Sequence, residues 1–213
     1  MDFLRQLVDV FLHLDHHLAE VIARFGAGSY LILFAIVFAE TGLVVTPFLP
    51  GDSLLFAAGT FAALGSFDVT LLLVLLIAAA AIGDTVNYWI GARIGERAFS
   101  GRVRFLKMEH LERTRAFYAR HGGKTIVLAR FIPIIRTFAP FVAGVGRMHY
   151  PRFLAYNLAG AVLWVSLFVL GGFFFGNIPA VRSNFTFVIL AIIALSVVPV
   201  FLELLRGRRR EAA

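Results

Sequence analysis

The sequence predicts an all-α integral membrane protein, an inverted repeat of two re-entrant helical hairpins that are each followed by a transmembrane helix. An N-terminal amphipathic helix and a C-terminal transmembrane helix complete the predicted fold. Three observations support it. The 213 residues are 60% apolar and 15% charged, whereas soluble domains are about half apolar and a quarter charged. Two long apolar segments are interrupted by prolines and charged residues. The basic excess of +7 is confined to a few segments.

Residues 1–27 are predicted to form the amphipathic N-terminal helix. Apolar and polar side chains alternate at helical spacing over residues 3–25, which are too polar to cross lipid alone. The helix is expected at the membrane interface or against the bundle. His13 and His17 have the spacing of metal ligands, but an exposed polar face explains them more simply, so we expect no metal and no cofactor. The chain has no cysteine, which excludes disulfides and thiol chemistry.

The core of the protein is predicted to extend over residues 28–176. Its first part, residues 29–65, is apolar but too long for one straight span and broken in the middle, which predicts a re-entrant hairpin. Residues 69–91 follow as a transmembrane helix. The residues that mark the break are Pro47, Pro50 and Gly51.

The second half of the core begins after a hydrophilic segment, residues 93–124, with nine basic and three acidic residues. Residues 125–146 are apolar again but interrupted, and they predict a second hairpin, followed by a transmembrane helix at 153–175. Residues 177–213 contribute a last transmembrane helix and an arginine-rich tail. The expected breaks of the second hairpin are at Pro133, Pro140 and Gly144.

The positions of the basic residues predict the topology. No lysine or arginine lies between Phe25 and Gly91, and the basic residues cluster in 93–124, around Arg147 and in the tail. Since cytoplasmic loops are enriched in lysine and arginine, all three clusters are expected in the cytoplasm. This requires residues 125–146 to enter and leave the bilayer on the same side, and it makes the C-terminus cytoplasmic. The side of the N-terminal helix stays open.

Charged residues inside apolar segments predict the functional site, because an ionised group in lipid needs a partner. Glu40 and Asp52 flank the break of the first hairpin. Arg130 and Arg136 lie in the second hairpin. If the two hairpin tips meet in the bilayer, these four residues neutralise one another.

Other polar residues of the spans are secondary candidates. Asp84 is either a third carboxylate of the site or a polar anchor near the cytoplasmic surface. Asn87 and Tyr88 lie one helical turn later, on the same side of the span. Trp164 is expected to face lipid or to pack against other helices.

These residue types indicate an anion site. Arginine binds phosphate through two parallel hydrogen bonds, and a carboxylate beside it can exchange a proton when the arginine turns to another anion. Arg130 and Arg136 are therefore expected to bind a lipid phosphate. Gating and proton coupling are assigned to Glu40, Asp52 and Asp84. The simpler alternative is that all of them are buried ion pairs that fix the hairpins.

The sequence gives little support to other classes of function. It contains no Walker loop and no HExxH or GxSxG motif, so we expect no enzymatic activity. Nucleic-acid binding is disfavoured because topology accounts for the basic residues. A basic helix from Arg104 to Arg120 is instead expected on the inner leaflet, where anionic lipids attract it.

Three stretches carry a family resemblance: Glu40-Thr41-Gly42-Leu43 through Pro47-Phe48-Leu49-Pro50-Gly51-Asp52-Ser53; Gly83-Asp84 with Asn87, Tyr88 and Gly91; and Arg130-Phe131-Ile132-Pro133-Ile134-Ile135-Arg136-Thr137 with Pro140 and Ala143-Gly144. They resemble signatures of the DedA family of membrane proteins, in the SNARE-associated or VTT-domain superfamily. The resemblance implies the core fold of the eukaryotic lipid scramblases. For bacterial members it implies membrane homeostasis that depends on the proton motive force, and transport of polyprenyl-phosphate carriers or phosphatidylethanolamine.

The expected function is lipid transport, as a flippase or scramblase, by a multi-pass protein of the bacterial inner membrane. Undecaprenyl phosphate is the first candidate substrate and a glycerophospholipid the second, and both come from the resemblance. Two alternatives stay open: a proton-coupled antiporter of small ions or solutes, and a non-transporting membrane-homeostasis protein. Lipids with anionic headgroups and protons are the expected partners, nucleic acid is not, and a homo-oligomer stays open.

Overall fold

The computed structural model describes residues 14–43, 51–95 and 108–176, together with 178, 179, 188 and 191. These residues form helices and short turns, and no β-strand occurs among them. A 3₁₀ turn at Gly26–Gly28 joins the first two helices, and another at Gly122–Lys124 joins the fifth and sixth. The helices are α1 (Leu14–Phe25), α2 (Ser29–Gly42), α3 (Gly51–Ala63), α4 (Val69–Ile94), α5 (Met108–His121), α6 (Thr125–Ala129), α7 (Pro133–Val145) and α8 (Tyr150–Phe175).

Three helical stretches are long and apolar enough to cross a membrane: His17–Gly42, Val69–Ile94 and Tyr150–Phe175, each of 26 residues. At about 1.5 Å per residue, α4 and α8 each reach about 39 Å, more than the roughly 30 Å of a hydrocarbon core, whereas His17–Gly42 is divided by the 3₁₀ turn at Gly26–Gly28. Their outer faces are apolar, since side chains such as Leu31 and Phe174 are more than half exposed. The prediction of an all-α membrane protein is therefore confirmed.

The helices pack through close backbone contacts at glycines. A side chain at Gly172 of α8 would collide with the Phe56 carbonyl of α3, and one at Gly144 of α7 would collide with the Tyr88 carbonyl of α4. The main pairs in the bundle are thus α3 against α8 and α4 against α7, with α2 also packed on α4. Such small residues let membrane helices approach closely enough for dense packing.

The start of α2 and the end of α3 lie at the same end of the bundle. The Asp68 N–H, just before α4, donates to the Tyr30 hydroxyl at 2.7 Å. The Tyr30 ring also meets Phe67 edge to face, with centroids 4.9 Å apart. The Asp68 side chain then caps α4 by accepting from the Leu71 N–H at 2.7 Å.

The start of α6 and the end of α7 both lie beside the N-terminal part of α8. Gly123, in the turn before α6, lies so close to the Tyr156 ring that a side chain there would collide with it. At the end of α7, the Tyr88 hydroxyl donates to the Met148 carbonyl at 2.5 Å. This end of the bundle also contains the end of α4.

The second hairpin breaks at one place rather than two. Helix α6, before the break, has 5 residues and α7, after it, has 13. Pro133 is the first residue of α7, where its missing N–H has no helical partner to lose. Pro140 and Gly144 lie inside α7, so the prediction that they break the hairpin is wrong. Gly144 is instead a packing residue against α4.

Neighbouring side chains bind two carbonyls of the turn that precedes Pro140 in α7. A proline in a helix displaces the carbonyls of the preceding turn and leaves hydrogen bonds unmade. Asn87 donates to the Thr137 carbonyl at 3.0 Å, and the Tyr118 hydroxyl donates to the Ala139 carbonyl at 2.9 Å. Neighbouring helices stabilise proline-containing membrane helices in this way.

Other boundaries differ by about one turn from the prediction. Helix α4 continues to Ile94, beyond the predicted end at residue 91, and α8 begins at Tyr150, before the predicted start at residue 153. The predicted start of the basic helix, Arg104, lies outside the described residues, and its described part is Met108–His121. Pro47 and Pro50, the basic tail and most of the predicted C-terminal span lie outside the described residues.

Candidate functional site

Arg136 joins the two sides of the break in the first hairpin. It lies in the first turn of α7. Its Nη1 donates to Asp52 Oδ1 at 3.0 Å, and its Nη2 donates to Glu40 Oε1. Glu40 belongs to the last turn of α2 and Asp52 to the first turn of α3. One guanidinium group therefore holds two carboxylates from either side of the break.

Trp164 of α8 completes this part of the site. Its side chain is fully buried, and its Nε1 donates to Asp52 Oδ1 at 2.8 Å. The Arg136 guanidinium lies 4.5 Å from the ring centroid and that of Arg130 lies 5.8 Å from it, both within cation–π range. Trp164 therefore does not face lipid, and it brings the two arginines into one site.

Arg130 forms a second group of contacts on the other side of Trp164. Its Nη2 donates to Asp84 Oδ2 at 2.5 Å and to Asn157 Oδ1 at 2.7 Å. The Asn157 amide in turn donates to the Ala81 carbonyl at 2.9 Å. Arg130 is only 3% exposed. The break of the second hairpin, α4 and α8 meet at this arginine.

The structure brings all five predicted charged residues together but pairs them differently from the expectation of two acids against two bases. Asp84 is a third carboxylate beside an arginine, so the alternative of a surface anchor is not what the structure shows. We call these five residues the charge cluster. With every group ionised it carries one more negative than positive charge. Its members are Glu40, Asp52, Asp84, Arg130 and Arg136.

Three buried polar atoms in and beside the charge cluster have no hydrogen-bond partner within the described structure. They are Glu40 Oε2, Arg130 Nε and Asn87 Oδ1. A buried polar atom without a partner costs about 1–3 kcal/mol, so native proteins keep few of them. The charge cluster therefore retains unused capacity to donate and to accept hydrogen bonds.

Glycines make room for the charged side chains. The Gly51 N–H donates to Glu40 Oε1 at 3.3 Å, and a side chain at Gly51 would collide with that carboxylate. A side chain at Gly160 would come within 3.0 Å of Arg130 Nε. Gly51 therefore makes room for the Glu40 carboxylate in addition to starting α3. Gly160 has the same role beside Arg130, and sequence reasoning missed it.

Asn87 and Tyr88, the secondary polar candidates, lie in different parts of the bundle. Asn87 is fully buried and donates to the Thr41 carbonyl at 3.3 Å and the Thr137 carbonyl at 3.0 Å. It thereby ties α4 to both hairpins beside the charge cluster. Tyr88 instead stacks on Phe153, with ring centroids 4.5 Å apart, at the end of the bundle where α8 begins.

Besides Gly160, sequence reasoning did not assign Asn157 and Trp164 to the site. Asn157 offered a usable signal, because a lone amide inside an apolar 26-residue helix needs a buried partner. Trp164 gave no such signal in the sequence, since tryptophan is common at membrane surfaces. Within the described ranges no group of three or more His, Asp or Glu side chains could hold a metal ion.

The fold and the charge cluster define a class: an integral membrane protein with arginine–carboxylate pairs buried between its helices. The VTT domain family matches residues 49–174. The chain therefore belongs to the VTT-domain family, to which the DedA-type membrane proteins belong.

Similar proteins extend over most of the chain. Protein DedA of Escherichia coli K12 is 53% identical over 215 residues, covering 100% of this chain and 98% of its own. An uncharacterized membrane protein of Mycobacterium tuberculosis H37Rv is 41% identical, covering 87% and 82%. The inner membrane protein YghB of E. coli K12 is 32% identical, covering 80% and 75%. No solved structure matches the chain significantly.

Proposed function

We propose that this protein is a transporter, not an enzyme, that moves a phosphate-bearing lipid between the leaflets of the bacterial inner membrane. The observation that carries the proposal is the binding of two carboxylates by Arg136, one from each side of a hairpin break. Two oxygens on one planar guanidinium group reproduce the way arginine holds two phosphate oxygens. A lipid phosphate can take their place at Arg136, with Arg130 as the second phosphate ligand.

Substrate identity rests on the family. Undecaprenyl phosphate is the first candidate and a glycerophospholipid the second. The location in the inner membrane is supported by the relative YghB, which is named an inner membrane protein. The lipid tail stays in the bilayer while the headgroup passes the charge cluster.

The packing supports two re-entrant hairpins. Contacts at Tyr30 and Phe67 hold the start of α2 beside the end of α3. Contacts at Gly123 and Gly144 hold the start of α6 and the end of α7 beside neighbouring parts of α8 and α4. A segment that begins and ends at one end of a bundle does not cross it.

The helix lengths support an inverted repeat. In each half a 13-residue helix, α3 or α7, is followed by a short loop and a 26-residue helix, α4 or α8. Gly91 and Gly172 occupy equivalent positions near the ends of these long helices. Each meets the backbone of the other half, Gly91 at the Phe141 carbonyl and Gly172 at the Phe56 carbonyl. Repeats of this kind place transport sites where broken helices meet.

The repeat includes the amphipathic helices. Helices α1 and α5 are each followed by a glycine with positive φ, 52° at Gly26 and 59° at Gly122. A 3₁₀ turn follows in both, and then a fully buried hydroxyl residue, Ser29 or Thr125, begins the hairpin. Inverted repeats relate opposite sides of the membrane, so α1 lies on the side opposite α5.

Exposed basic residues orient the bundle. Arg93, Arg120 and Arg152 are exposed at the end of the bundle formed by the end of α4, α5 and the start of α8. Under the positive-inside rule this end faces the cytoplasm. The predicted last span then returns the C-terminus to the cytoplasm.

The charges support proton coupling. The charge cluster has one excess negative charge when fully ionised, which is unfavourable in a low-dielectric site, and one bound proton removes it. A phosphate that displaces Glu40 and Asp52 from Arg136 separates these carboxylates from their cation, which favours their protonation. Phosphate binding and proton uptake are thereby linked at one arginine.

Replacement of Arg136 by lysine tests this function. Arg136→Lys keeps the charge but loses the planar pair of donors, so we expect lipid translocation to fall at least about tenfold. The measurement is dithionite access to a fluorescent polyprenyl phosphate in proteoliposomes, with fluorescent phosphatidylethanolamine in parallel to identify the substrate. Arg93→Lys, at the exposed end of α4, is the matched control and should translocate normally. Wild-type translocation by a folded Arg136→Lys protein would contradict the proposal.

The excess carboxylate also favours a second candidate, a proton-coupled antiporter of small ions. A cation that competes with protons for the same carboxylates would use the charge cluster without any lipid. Proton flux in lipid-only vesicles that depends on an added cation, with no lipid translocation, would identify this activity.

A further inference from the structure

Trp164 and Arg136 donate hydrogen bonds to the same carboxylate oxygen. Asp52 Oδ1 accepts from Arg136 Nη1 at 3.0 Å and from Trp164 Nε1 at 2.8 Å. The arginine belongs to α7 and the tryptophan to α8, so two donors from different helices meet at one oxygen atom. We call the place of this atom the first oxygen position.

A second carboxylate oxygen has a similar environment. Glu40 Oε1 accepts from Arg136 Nη2 and, at 3.3 Å, from the Gly51 N–H. Gly51 is the first residue of α3, and the N–H groups at the start of a helix favour an anion. We call the place of Glu40 Oε1 the second oxygen position. Each position therefore combines one N–H of Arg136 with a donor that carries no net charge.

The indole of Trp164 is held more firmly than the carboxylate that it binds. Its side chain is fully buried, and its ring meets Phe168 edge to face, with centroids 6.4 Å apart. The Arg136 guanidinium lies 4.5 Å from the ring centroid on the cation–π side. The Asp52 side chain is 17% exposed. When a ligand displaces Asp52, we therefore expect the carboxylate to move and the indole N–H to stay at the first oxygen position.

The indole N–H then needs a new acceptor. Indole Nε1 is a donor only and does not ionise, and a buried donor without an acceptor is unfavourable. A ligand that displaces Asp52 must therefore bring an oxygen for Trp164 as well as a negative charge for Arg136. A phosphate group meets both needs, because even a phosphodiester has two non-bridging oxygens, one for each oxygen position.

We propose that Trp164 is a phosphate-binding residue, whose indole N–H donates to the phosphate oxygen that replaces Asp52 at the first oxygen position. Another oxygen of the same phosphate takes the second oxygen position, between Arg136 Nη2 and the Gly51 N–H. The assignment rests on the proposed function for its ligand, a phosphate group at Arg136. It gives Trp164 a part in binding the substrate besides its packing in the bundle.

The indole N–H signals in NMR spectra test this role on the unaltered protein. The chain has two tryptophans, and the other, Trp89 of α4, is 46% exposed. The Trp89→Phe spectrum assigns the two signals. Full-length protein with isotope-labelled tryptophan, in uncharged detergent, is titrated with dihexanoyl phosphatidate, with inorganic phosphate and with the neutral dihexanoyl glycerol. We expect the Trp164 signal to move with phosphatidate but not with dihexanoyl glycerol, and the Trp89 signal to respond alike to both lipids.

A substitution measures how much the hydrogen bond contributes. Trp164→Phe keeps an aromatic ring beside Arg136 but removes the N–H. We expect its affinity for phosphatidate in titration calorimetry to fall at least about tenfold, because a hydrogen bond to a charged group is lost. Trp89→Phe is the matched control and should bind within about twofold of wild type. If inorganic phosphate binds as tightly as phosphatidate and moves the same signal, Trp164 binds phosphate as proposed, and the ligand is free phosphate rather than a lipid headgroup.

Four results would overturn the proposal. They are a wild-type protein that does not bind phosphatidate, a Trp164 signal that does not move at saturation, an equal response of that signal to dihexanoyl glycerol, and a folded Trp164→Phe protein that binds as tightly as Trp89→Phe. If Trp164→Phe does not fold, the titration of the wild-type protein decides alone.

Lipid translocation in proteoliposomes separates this proposal from the proposed function. If wild type and Trp164→Phe translocate lipid equally well, the function stands and the role of Trp164 is wrong. If the wild-type Trp164 signal responds to phosphatidate as expected but the protein moves no lipid, the proposed function is wrong and phosphate binding by Trp164 stands.

Discussion

Arg130 and Arg136 carry the same charge but differ in their surroundings. Arg130 is 3% exposed and is held by Asp84 and Asn157. The Arg136 side chain is 10% exposed and pairs with Asp52, whose side chain is 17% exposed. A ligand can reach the second pair with less rearrangement than the first. Arg136 is therefore placed to exchange partners, whereas Arg130 anchors the second hairpin to α4 and α8.

Replacing only Arg130 of the Arg130–Asp84 pair should destabilise the protein more than replacing both residues. Arg130→Met leaves a buried carboxylate without its cation, so we expect a loss of about 3–5 kcal/mol in the free energy of unfolding. Arg130→Met with Asp84→Leu should recover most of this loss, because an apolar pair can replace a buried ion pair. Reversible unfolding in mixed micelles measures both variants, with the exposed Arg93→Met as control. A double variant as unstable as the single one would show that the pair is not what Arg130 stabilises.

At the scale of elements, glycines set how closely the helices pack. A side chain at Gly59 of α3 would collide with the Val169 carbonyl of α8, and one at Gly172 of α8 would collide with the Phe56 carbonyl of α3. Each helix of the α3–α8 pair therefore has a glycine in close contact with the backbone of the other helix. Trp164 lies on α8 and Asp52 on α3, so this contact also fixes the 2.8 Å hydrogen bond between them.

Two neighbouring glycines of α8 provide a matched test of this packing. Gly172→Ala places a methyl group against the α3 backbone, so we expect a loss of about 1–3 kcal/mol in the free energy of unfolding. Gly171→Ala places the same group 3.9 Å from the Phe56 ring, an ordinary contact, and should change stability by less than about 0.5 kcal/mol. Unfolding in mixed micelles compares the two variants, and equal effects would refute backbone contact between α3 and α8.

The sequence could predict which charged residues are buried but not how they pair. Lipid excludes lone charges, so Glu40 and Arg136 stand out in any apolar segment. Pairing depends on how distant helices are aligned, as with Asp84 and Arg130, and no local pattern specifies that alignment. The prediction that Pro140 breaks the helix was wrong for the same reason, because the side chains that bind the carbonyls before it come from α4 and α5.

At the scale of the whole molecule, the two ends of the bundle differ in charge. Exposed Arg93, Arg120 and Arg152 lie at the end where α8 begins. At the other end, the loop between α3 and α4 carries Asp68 and no basic residue. The proposed inverted repeat makes the two halves similar in backbone, so we expect this asymmetry of charge, rather than the fold, to decide which end faces the cytoplasm.

The proposed inverted repeat also predicts on which side of the membrane each amphipathic helix lies. The chain has no cysteine, so single cysteines need no altered background. Ala23 of α1 and Ser66, after α3, are exposed. Both should be labelled from the periplasm if the first hairpin is re-entrant, as proposed, and returns to the side on which it starts. Exposed Ala119 of α5 and His149, before α8, should both be labelled from the cytoplasm. A membrane-impermeant maleimide on right-side-out and inverted vesicles measures this. If Ala23→Cys and Ser66→Cys are labelled from opposite sides, residues 29–65 cross the bilayer and the first hairpin is not re-entrant. If Ala23→Cys and Ala119→Cys are labelled from the same side, the repeat does not extend to α1.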